Sequence, residues 1–214
     1  MISFAHPRSL NLLSALALFS LSFAASSLPA YIDHLSEIEV DQAYTLGQRH
    51  DQELVRFLRD YETTYGNVTP GTHVKRIAVR TPFCAVVLRS FEKGSTYPMV
   101  RSREDYAANP DPFQVVVSVD APAPTPLVAA DLADPKGQFW KQFAVEISQD
   151  ARIAPRAITA VPLYGFNAGV TVITGGELRF EFDVRDIASK MIQVRVSGPG
   201  TQRVTAEFDL DQLR

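Results

Sequence analysis

The sequence predicts a mainly β chain: an antiparallel β-sandwich, immunoglobulin-like or similar, preceded by a signal peptide and an N-terminal helical segment. Three observations carry this reading. The first is the stretch after Gly176, where Leu178, Phe180, Phe182 and Val184 alternate with Glu177, Arg179, Glu181, Asp183 and Arg185. Side chains alternate across a strand with period two, so this is a strand with one dry face and one wet face. The second is the repeat of that pattern in Ile192, Val194 and Val196, and again in Val204, Ala206, Phe208 and Leu210. Between them lies Ser197-Gly198-Pro199-Gly200-Thr201, a hairpin signal that makes the pair antiparallel. The third is the run of short apolar segments further upstream, separated by turn residues with no alternating helices. A half-buried antiparallel sheet needs a second layer, and several short strands supply it as a sandwich. A short barrel is the alternative architecture. No fixed-period repeat is present, which argues against a propeller or solenoid.

Taken in order, the chain divides into a signal peptide over 1–26, a linker and amphipathic helix over 27–70, and the β domain over 71–214. Met1 to Ser9 carries Arg8, Leu10 to Phe23 is apolar, and small residues follow at Ala24, Ala25, Ser26 and Ser27. That is the three-part pattern of an export signal, with cleavage expected after Ala24 or Ser26. A retained anchor is disfavoured, because the apolar run is broken by Asn11, Ser14, Ser20 and Ser22 and falls short of the ~20 residues a span needs. Leu28 to Ile32 reads as a linker. Ser36 followed by Glu39 has capping-box spacing. Leu54, Leu58, Tyr61 and Tyr65 recur at three and four, with Gln52, Glu53, Arg56, Arg59 and Asp60 opposite, an amphipathic helix. Gly47 interrupts this segment, giving two helices or a kink between Leu46 and His50.

From Thr72 the expectation is β throughout. Strands are expected over Lys75–Thr81, over Phe83–Ser90 and, after a long polar stretch from Glu92 to Pro112, over Phe113–Val119. Ala121 to Pro126 alternates Ala and Thr with Pro and reads as stiff and extended, a spacer or an edge crossover. Asp131–Gly137 is expected to turn. Phe139–Ser148 follows as a strand with Phe143, Val145 and Ile147 inward. Ala157–Tyr164 is another, held to a sheet edge by Pro162. Val170–Thr174 is a short strand, closed by a turn at Gly175-Gly176.

Composition sets limits on function. The chain is 46% hydrophobic and 21% charged, the balance of a soluble globular protein. Its formal net charge is −3, and more negative once Arg8 leaves with the leader. This argues against nucleic acid and against an anionic membrane surface as partners. The single cysteine, Cys84, precludes an internal disulfide, and its apolar neighbours mark it as a small buried hydrophobe.

Catalytic constellations are not apparent. His6 lies in the leader, and His34, His50 and His73 all precede the bulk of the β region. A Ser-His-Asp or Cys-His arrangement would have to borrow its base from the helical segment. Neither Gly-x-Ser-x-Gly nor His-Glu-x-x-His occurs, and a zinc or calcium site is not expected, Lys136 working against cation binding at Asp131 and Asp134. Glu146, Glu181 and Asp183 are expected to solvate strand faces rather than act as a glycosidase pair. No cofactor is implied. The aromatics Tyr97, Tyr106, Trp140, Tyr164 and Phe166 fall in or beside expected loops, where such residues stack on sugars or anchor protein partners.

The expected function is therefore an exported, periplasmic or extracellular, non-enzymatic β-sandwich protein: a protein-interaction or cell-envelope accessory module. The alternative is a carbohydrate-binding module using Trp140, Tyr164, Phe166 and Tyr97. A protein or a glycan is the expected partner, with no stable membrane insertion once the signal is cleaved.

Overall fold

The computed structural model describes residues 31–66, 72–126, 143–167, 169–188, 190–198 and 202–214. The signal peptide, the Asp131–Gly137 turn, Trp140 and the Pro199–Thr201 hairpin tip lie outside the described residues. Among those described, no helix is long and apolar enough to cross a membrane.

Helix α1 spans Glu37–Gly47 and begins on the expected capping box, with Ser36 and Glu39 each accepting from the other's backbone N–H. Helix α2 spans Gln52–Asp60 and is capped by the Asp51 carboxylate, which accepts from the N–H groups of Glu53 and Leu54. His50, at φ 49°, breaks the chain between them, so the segment forms two helices. Gly47 is explained by packing. A Cβ there would lie 2.3 Å from the Val87 carbonyl oxygen, so glycine lets α1 lie close against the helix that carries Val87.

That helix, α3, spans Pro82–Lys93 and corrects the strand expected over Phe83–Ser90. The local start signals are a Thr81 N-cap, which accepts from Cys84 N–H at 3.1 Å, and Pro82 in the first turn. The misleading feature is that α3 is apolar on two sides. Phe83, Val86 and Val87 join Val40, Ala43, Leu54 and Tyr106 in a helical cluster, while Cys84 and Leu88 face the core of the sheets. A short apolar run buried on two sides reads equally well as a strand. The polar stretch from Glu92 to Pro112 is likewise ordered, as a 3-10 turn at Gly94–Thr96 and helix α4 over Met99–Ala108.

Nine strands occur among the described residues: β1 Glu62–Thr64, β2 His73–Arg80, β3 Phe113–Pro126, β4 Ala144–Ser148, β5 Arg152–Ile153, β6 Ala157–Asn167, β7 Val170–Phe182, β8 Met191–Ser197 and β9 Arg203–Asp209. They form two antiparallel sheets, ordered β1-β2-β3-β7-β6 and β5-β4-β8-β9. The chain is thus mainly β, with a helical layer larger than the sequence indicates.

Two strand details depart from expectation. Gly175-Gly176 is not a turn but the middle of β7. A Cβ on Gly175 would meet the Val119 carbonyl oxygen at 2.5 Å, so glycine here permits close approach to β3. Ala121–Pro126 is not a free spacer but the far end of β3, which pairs again with β7 at Thr125↔Ile173 after a register shift. The hairpin of β8 and β9 is as expected, with Val194 opposite Ala206 and Ile192 opposite Phe208.

The dry faces meet in one buried cluster drawn from both sheets. Ile77, Val79, Val115, Val117, Leu178, Phe180 and Phe182 join Ile147, Ile192, Val194, Val196, Ala206 and Phe208. Each fully buried aromatic or branched side chain here contributes on the order of 1.5–3 kcal/mol relative to exposure. Tyr31, expected in a linker, belongs to this core: it meets Phe113 edge-on at 5.8 Å, and its N–H donates to Leu210 O at 3.1 Å. The chain's last residues return to the junction of sheets and helices, where the main-chain oxygen of Arg214 accepts from Tyr61 Oη at 2.6 Å and from Thr81 Oγ1.

Candidate functional site

Among the described residues the four sheet edges are unequal, and the inequality defines the site. β1 and β5 are edges of three and two residues. β9 is a seven-residue edge guarded by Arg203, Glu207 and Asp209. β6 is eleven residues long, and the chain carries no charged residue from Ala157 through Gly176. An edge strand presents unpaired N–H and C=O groups, and short length or charge is the usual protection against pairing. Along β6 only Pro162, which lacks an N–H, limits a complete added ladder.

Ile158, Val161, Leu163, Tyr164 and Phe166 of β6 are large, apolar and exposed. Ile158, Ala160, Pro162, Tyr164 and Phe166 share one face by alternation. Ile158 and Ala160 lie opposite core residues Phe180 and Leu178, so Tyr164 and Phe166 continue the core-facing stripe. Phe166 is 84% exposed and Tyr164 46%. Val161 and Leu163 stand exposed on the other face, and Val170 is exposed where β7 begins. A register shift between Leu163 and Tyr164 leaves Thr174 of β7 without an opposite residue, and Gly165 sits directly against that side chain. This irregularity marks where β6 and β7 run on towards their shared turn.

The expected aromatic group is divided. Tyr164 and Phe166 stand together on β6, two residues apart. Trp140 lies outside the described residues. Tyr97 is buried in the helical layer, where its hydroxyl donates to Asp105 at 2.9 Å and the Lys93 ammonium lies 4.2 Å from its ring centroid. It presents no face to a sugar ring. Tyr106 is also buried, and its hydroxyl accepts from Leu35 N–H at 2.9 Å.

The carboxylates of Glu146, Glu181 and Asp183 are engaged in ion pairs. Glu146 pairs with Arg195, Glu181 with Arg156, and Asp183 with Arg185. The Arg185 hydrogen bonds hold the Asp183 carboxyl far below its ordinary value. On the wet face of the five-stranded sheet, Arg76 bridges Glu62 at 2.9 Å and Glu177 at 3.5 Å, and Arg179 returns to Glu177 at 2.8 Å. Burial pushes the Cys84 thiol up to about 12, so it is not a nucleophile at neutral pH. Asp111, paired with Arg89, is raised, burial outweighing the pairing. Among the described residues no group of three or more His, Cys, Asp or Glu could hold a metal ion.

No family model and no curated protein matches the chain. A solved structure from Burkholderia pseudomallei, described as a novel protein of unknown function, is similar over 83% of this chain and 91% of its own, at 11% identity and a TM-score of 0.33. The site therefore stands on its own geometry.

Proposed function

We propose that the protein is an exported, non-enzymatic β-sandwich module of the cell envelope that binds a protein partner along β6. The sandwich reading is supported by the single buried cluster shared by the two sheets. Export to the periplasm or exterior is supported by the leader pattern of residues 1–26. The observation that carries the binding reading is the length and lack of charge of β6, set against the short or charged edges elsewhere. An extended peptide segment adding a strand there gains main-chain hydrogen bonds. Tyr164 and Phe166 on one face, with Val161 and Leu163 on the other, give side-chain contact.

The test uses the mature chain as bait for the envelope fraction of its source cells. Val161→Lys and Leu163→Lys add charge at exposed positions without touching the core, and they should abolish capture while leaving the melting temperature unchanged. Glu207→Lys on β9 is the control and should retain the partner. Capture that survives both lysine substitutions, or that Glu207→Lys removes equally, overturns the reading. A glycan ligand is the second reading, favoured by the pairing of Tyr164 and Phe166 on one exposed face. It requires a glycan-array signal that Tyr164→Ala removes.

A further inference from the structure

A second site lies on the helical layer, away from β6. Helices α1 and α2 form the walls of a groove of about 640 Å³, within the size range of small-molecule sites. Ile38, Gln42, Thr45 and Leu46 come from α1, and Glu53, Arg56, Phe57 and Asp60 from α2, at helical spacings that put each set on one face. Phe83 of α3 and Arg214 complete the lining.

The groove is lined by three carboxylates and three guanidinium groups, and they differ in how far they are engaged. Arg49 is satisfied by Asp51 at 2.9 Å and Glu53 at 2.8 Å, and Asp41 is held by Arg103 from outside. Arg56, Asp60 and Arg214 remain, and among the described residues none of the three has an ion pair. Arg214 is the distinctive one. It is half-buried, and its guanidinium lies over the Phe83 ring at 4.7 Å. Its Nη2 donates to Gln42 Oε1 at 2.8 Å, and its Nε is buried without a partner. Its main chain is fixed by Tyr61 and Thr81. A guanidinium is always charged, and a partly desolvated one without an anion is costly. Here it is held in place against an aromatic ring, beside apolar surface, with a second unpaired arginine in the same groove.

We propose that this groove binds a monocarboxylate carried on an apolar body. The carboxylate pairs with Arg214, assisted by Arg56, and the body lies on Phe57, Leu46 and Ile38. The guanidinium fork favours a planar carboxylate, and the apolar surface favours a hydrocarbon over a hydrophilic acid.

Calorimetric titration of the mature protein with decanoate, and separately with decanol, tests this. One decanoate per chain is expected, bound at least tenfold more tightly than decanol. Arg214→Gln should remove that preference while leaving decanol binding in place. Because Arg214→Gln also removes the side-chain contacts to Phe83 and Gln42, Thr45→Trp provides an independent test: it fills the groove from an exposed position and should abolish binding of both probes. Equal affinity for decanoate and decanol, no decanoate binding, or binding that Thr45→Trp leaves intact overturns the proposal.

Discussion

Substituting Gly47 by alanine sets two effects of opposite sign against each other. In an open helix the change gains roughly 1 kcal/mol of helix propensity. In this fold the new methyl would sit 2.3 Å from the Val87 carbonyl oxygen and 2.7 Å from Ser90 Cβ. To reach ordinary contact, the backbone of α3 would have to retreat by about 1 Å. That retreat is opposed by hydrogen bonds spanning the same contact: Ser90 Oγ donates to Tyr44 O at 2.9 Å, and Gln48 Nε2 donates to Ser90 O at 2.7 Å. Overpacking costs about 1–3 kcal/mol, and a clash with backbone belongs at the upper end. The net is a loss of about 2 kcal/mol, roughly thirtyfold in the folding equilibrium. With a urea slope of about 2 kcal/mol/M, the unfolding midpoint should fall by about 1 M. Gly66, with open space where its Cβ would be, is the control, and Gly66→Ala should leave the midpoint unchanged or slightly higher. A Gly47→Ala protein as stable as the parent would refute the close packing of α1 on α3.

Three further outcomes follow from the core. Cys84, buried with its thiol raised to about 12, should resist a disulfide-exchange reagent at pH 8 in the native protein and react fully on unfolding; rapid native labelling contradicts its placement. Burial raises the hydroxyls of Tyr31 and Tyr61 above the ordinary tyrosine value of about 10. Protonation of these groups adds stability that is complete below that value and is lost as pH rises towards the folded-state values, so the urea midpoint should fall above pH ~10. A midpoint flat from pH 9 to 12 counts against this. Thr81→Val removes both the α3 cap and the donor to the Arg214 main-chain oxygen, and should cost about 2–3 kcal/mol in urea unfolding. A loss below about 0.5 kcal/mol would show that neither bond is formed.

Strands whose dry face packs on one side and whose wet face meets water were legible. Leu178, Phe180 and Phe182 in β7, Val194 in β8 and Phe208 in β9 fall where period two places them, and Pro162 marks β6 as an edge strand. The capping residue of α1 was equally local. What escaped was tertiary. α3 is covered on two sides, so its short apolar run reads equally well as a strand, and Thr81-Pro82 is the local sign of a helix start. Gly175-Gly176 has the composition of a turn, yet its purpose is close approach to Val119, a residue far away in sequence. Placing a turn there also cut the uncharged run from Ala157 to Gly176 in two and hid its length. Tyr97 looked like a loop aromatic because the helices around it were not recognised. Arg214 gave no signal, since its groove is assembled from α1, α2 and α3 together.

The central claim is that β6 receives the partner. Hydrogen exchange of the backbone amides, read by mass spectrometry with and without the captured envelope partner, tests it most directly. The account predicts slowed exchange over Ala157–Asn167 on binding, with Arg203–Asp209 of β9 unchanged. Slowed exchange confined to β9 or to the helical layer, with β6 exchanging as fast as in the free protein, would contradict it.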